Sequence, residues 1–72
     1  MIKMHVTKNN VFVWECTALT TGHMVHEIFY FLKTHLPNEE IKKLEFASLM
    51  HKASLVNKET LIKGYRVIFS ED

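Results

Sequence analysis

The chain has 72 residues, of which 47% are hydrophobic, 24% charged and 11% aromatic, with two Gly and one Pro. That length holds one domain, residues 1–72, and the composition excludes a disordered tail or linker. Nine Lys and Arg against eight Asp and Glu leave a formal charge of +1, which excludes both a polyanionic DNA mimic and a histone-like polycation.

Ile2, Met4 and Val6 alternate with Lys3, His5 and Thr7, the period of a half-buried strand over residues 2–7. Lys8-Asn9-Asn10 follows, and Asn tolerates left-handed turn conformations, so the chain reverses here. Residues 11–17 are β-branched and aromatic and form the second strand of a hairpin. Val11 and Val13 fall on one face and Phe12, Trp14 and Cys16 on the other, so this strand is expected to sit centrally or be covered on both sides.

Thr20-Thr21-Gly22 supplies helix-capping chemistry, after which Val25, Ile28, Phe29, Leu32 and Leu36 recur at helical spacing, broadened by Met24 and Phe31. Pro37 ends this helix. Asn38 caps the next, with Glu39 and Glu40 placed where carboxylates meet the positive end of the helix dipole. The apolar stripe over 41–55 is untidy and predicts two short helices, with a break near 45–47 that lets Ser48 cap a segment ending near Ser54. Asn57 to Thr60 is a turn, and 61–69 a last strand with Gly64 inside it. On that strand Leu61, Tyr65, Val67 and Phe69 share one face, and Ile62, Arg66 and Ser70 the other.

The order is β-β-α-α-β: an α+β domain with a small three-stranded antiparallel sheet packed on two or three helices, a description a winged helix also meets. A core of this size contributes roughly 3–5 kcal/mol of net stability, and a homodimer is compatible with that. The lone Cys16 forms no internal disulfide, which fits a reducing cytosol. The start of the chain is too short and polar for a signal peptide, and the longest apolar stretch, 24–32, falls far below the roughly 20 residues a membrane helix needs. A cytoplasmic protein without membrane contact is expected.

Catalytic chemistry has little to build on. His23, His26 and Glu27 share a helical face, but zinc needs three or four ligands in tetrahedral array and no spacing adds Cys16 or His35 to them. Cys16 shares a strand face with Phe12 and Trp14, which favours an inert buried thiol over a nucleophile. Gly-rich phosphate loops, nucleophile elbows and metalloprotease helices are missing from the sequence. The expectation is a protein that is no enzyme, with no catalytic residues, no metal and no cofactor.

Charge position says more than net charge. From Lys42 to Arg66 stand six bases (Lys42, Lys43, Lys52, Lys58, Lys63, Arg66) and two acids (Glu45, Glu59), a local surplus of +4. The stretches Ser48-Leu49-Met50-His51-Lys52-Ala53-Ser54 and Lys63-Gly64-Tyr65-Arg66-Val67-Ile68-Phe69 resemble the end of the small nuclease-associated DNA-binding modules of homing endonucleases, and more loosely the winged-helix domains of phage excisionases. In those modules a short recognition helix precedes a strand that closes the fold. The resemblance implies that Ser48, His51 and Lys52 lie near DNA and that Lys63 and Arg66 meet its backbone, with Lys42 and Lys43 extending the basic set.

Two functions follow as expectations. One is a DNA-binding regulatory protein of phage or mobile-element type, acting through Lys42, Lys43, Ser48, His51, Lys52, Lys63 and Arg66. The other is a small inhibitor or adaptor of phage type that occupies a larger host enzyme through an aromatic surface or edge strand. Phe12, Trp14, Tyr30 and Phe31 exceed what one small core comfortably buries, and Trp and Tyr are favoured interface anchors; the last strand, with apolar residues on both faces, is a further means of pairing edge to edge with a partner.

Overall fold

The computed structural model describes residues 1–36 and 46–71. Six elements run in the order β1 (Ile2–Lys8), β2 (Val11–Ala18), α1 (Thr21–His35), α2 (Phe46–Ser54), β3 (Glu59–Ile62) and β4 (Tyr65–Glu71). The strands form one antiparallel sheet in the spatial order β2-β1-β4-β3. Both hairpins therefore stand side by side, and the helical segment carries the chain from one outer strand to the other.

The α+β class stands, and the strand count is corrected from three to four. The expected single strand over 61–69 is two, because Lys63 and Gly64 both take positive φ, 51° and 87°. A two-residue loop with both residues left-handed matches the right-handed twist of its flanking strands, which makes it a hairpin turn. The turn is the twin of the one at Asn9 (φ 53°) and Asn10 (φ 64°). It also exchanges the expected faces: Ile62 pairs with Tyr65 and joins Val67 and Phe69 in the core, while Leu61 pairs with Arg66 on the exposed side. The expected turn over 57–60 shortens accordingly, since Glu59 and Thr60 already belong to β3. Asn57, at φ 61°, donates its backbone N–H to Phe69 O at 2.6 Å and fixes the exit of α2 against β4.

Alternation places Ile2, Met4 and Val6 of β1 and Tyr65, Val67 and Phe69 of β4 on the helix-covered face. Met24, Val25, Ile28, Phe31 and Leu32 of α1 close over them, joined by Leu49 and Ala53 of α2. The Thr20 hydroxyl accepts the His23 N–H at 3.0 Å, satisfying one of the free donors that open α1. Ser48 is an interior residue of α2 rather than its cap, because that helix already begins at Phe46; its end at Ser54 is as expected. Pro37, Asn38, Glu39, Glu40, Lys42 and Lys43 lie outside the described residues.

Candidate functional site

The second strand departs from expectation in the way that matters most for function. β2 is an outer strand, paired on one side with β1. Its register slips once: Val6 faces Trp14, yet Thr7 faces Phe12, leaving Val13 as an extra bulged residue. The bulge reverses the alternation, so Trp14, Cys16 and Ala18 turn to the helices while Phe12 turns to the open face of the sheet. Apolar residues on both faces here mark a bulged edge, not a central strand.

On the helix side, the Trp14 ring packs against Tyr30 (6.0 Å between centroids), Phe31 (5.8 Å) and His35 (5.4 Å). Phe31 in turn meets His35 at 4.4 Å and Tyr65 edge-on at 5.1 Å. Phe31 is 1% exposed, so its place among expected partner-binding residues is corrected: it sits at the i+3 position from Ile28 and belongs to the core. Trp14 is half-buried, and its indole N–H is sealed from solvent beside the Cys16 thiol. Tyr30, one residue before Phe31, meets Trp14 at the margin of this cluster and remains 59% exposed.

Cys16 is half-buried beside Trp14. Burial pushes its thiol up, the Glu27 carboxylate adds to this, the Trp14 indole opposes it, and Glu15 contributes a further rise. A thiol held in its neutral form is a poor nucleophile.

On the open face, His5 and Glu15 face each other across β1 and β2 and are bonded Nδ1 to Oε2 at 2.9 Å, with Lys3 Nζ 3.6 Å from the same carboxylate. The His5 bond, first, holds the Glu15 carboxyl below the usual glutamate range against the opposing effect of desolvation, with the Lys3 and His5 charges adding smaller downward contributions. The Phe12 ring lies 5.4 Å from that of His5. Further across, Arg66 and Glu59 approach at 3.6 Å, between the exposed side chains of Leu61 and Ile68.

The expected basic set is only partly gathered. Ser48 and His51 are exposed on α2, in the helical layer. Lys52 donates from Nζ to Leu61 O at 3.2 Å, bringing α2 to the β3 margin near the Lys63 turn. Arg66 is on the opposite, open face of the sheet. Among the described residues no three His, Cys, Asp or Glu side chains form a group suited to a metal ion, and His23 pairs with Glu27 at 3.4 Å. No described helix is long and apolar enough to cross a membrane.

Of the expected partner-binding residues Phe12 and Tyr30 are exposed and Trp14 is half-buried, while Val11, Leu19, Leu61 and Ile68, outside that set, are exposed as well. Gly64 was the available signal for the last two: taken as a hairpin turn, it puts Leu61 and Ile68 on the outer face. No family model, curated protein or solved structure matches the chain.

Proposed function

We propose that the chain is a small non-enzymatic binding module that engages a larger protein, as an inhibitor or adaptor, through the β2 side of its sheet. One observation carries this reading. Val11 (64% exposed), Phe12 (59%), Leu19 (72%) and Tyr30 (59%) all fall on β2, directly after it, or on the part of α1 that packs against its Trp14. Aromatic anchors beside an available strand edge suit recognition in which backbone pairing supplies affinity and flanking side chains supply selectivity.

The immobilised chain, exposed to host lysate with and without nuclease, tests it. A captured protein should survive nuclease treatment and fall at least tenfold when Phe12→Ala and Tyr30→Ala are combined. Capture that disappears with nuclease, or is indifferent to both substitutions, overturns the reading.

DNA contact is the second reading, and the Lys52 bond to Leu61 O favours it. That bond sets Lys52 and the neighbouring His51 near the Lys63 turn, while Leu49 and Ala53 face inward, as a groove-reading helix requires. Four strands and an Arg66 paired with Glu59 on the far face make the winged-helix form of this reading the weaker one. A gel shift at low salt should weaken on Lys52→Ala or Lys63→Ala, each reducing the salt slope by about 1. No shift at low ionic strength ends it.

A further inference from the structure

We draw no further inference here: the strongest candidate, the open face of the sheet with its exposed Phe12, Leu61 and Ile68, pairs Lys3 with Glu15 and Arg66 with Glu59 and so favours no charge of partner, and nothing in the structure shows what covers it.

Discussion

Phe31 and Trp14 touch each other, yet opposite responses to substitution are expected. Phe31 is fully enclosed between Trp14, His35 and Tyr65, so Phe31→Ala leaves a cavity and costs about 3–5 kcal/mol. That is comparable to the whole stability of a domain this small, and urea titration should find the variant largely unfolded without denaturant. Trp14→Phe keeps most of the ring contact and deletes an indole N–H sealed from solvent, whose neighbouring acceptor is the Cys16 sulfur, a weak one. A poorly satisfied buried donor costs about 1–3 kcal/mol, which offsets much of the lost area; the same titration should place this variant within about 1 kcal/mol of the parent. Glu15 offers a test by pH. Its carboxyl titrates below the usual range because of His5 and Lys3, so the carboxylate favours the folded state at pH above the unfolded value and that contribution is lost as pH falls through the folded one. Carboxyl-carbon NMR should show the depressed titration of Glu15, and His5→Ala should move it upward; an unchanged midpoint would remove the His5 bond as its cause.

The two glycines should respond with opposite sign. Gly64 occupies φ +87° with nothing near an added Cβ, so the cost of Gly64→Ala is that of the left-handed backbone alone, about 1–2 kcal/mol. Gly22 stands in the first turn of α1, also with open space around it. Gly22→Ala should stabilise by about 0.4–1 kcal/mol, chiefly by restricting the unfolded chain. Thermal melts of the two variants decide both signs. The same pair of turns explains what was legible in the sequence. Asn9-Asn10 could be read as a hairpin because both residues tolerate positive φ; Lys63-Gly64 could not, because only Gly64 signals a turn and lysine rarely occupies that region. One missed turn cost a strand and exchanged Leu61 with Ile62. The Val13 bulge has no sequence signature either, so Phe12 and Trp14 read as one face although the strand separates them. In α1, by contrast, capping at Thr20 and the spacing of Val25, Ile28 and Leu32 sufficed to place the helix and its buried side, whereas the excess of aromatic residues drew exposed Phe12 and Tyr30 and buried Phe31 into one set without separating them.

For the whole molecule, the +4 segment matters less than its distribution. Its described bases divide between the α2 and β3 corner and the open face, so among the described residues they form no single electrostatic front, and the exposed apolar groups favour the β2 side. This has a consequence for stability. A domain held by roughly 3–5 kcal/mol gains appreciably from any partner that binds only the folded state, by about 2.7 kcal/mol when that partner stands at 100 times its dissociation constant.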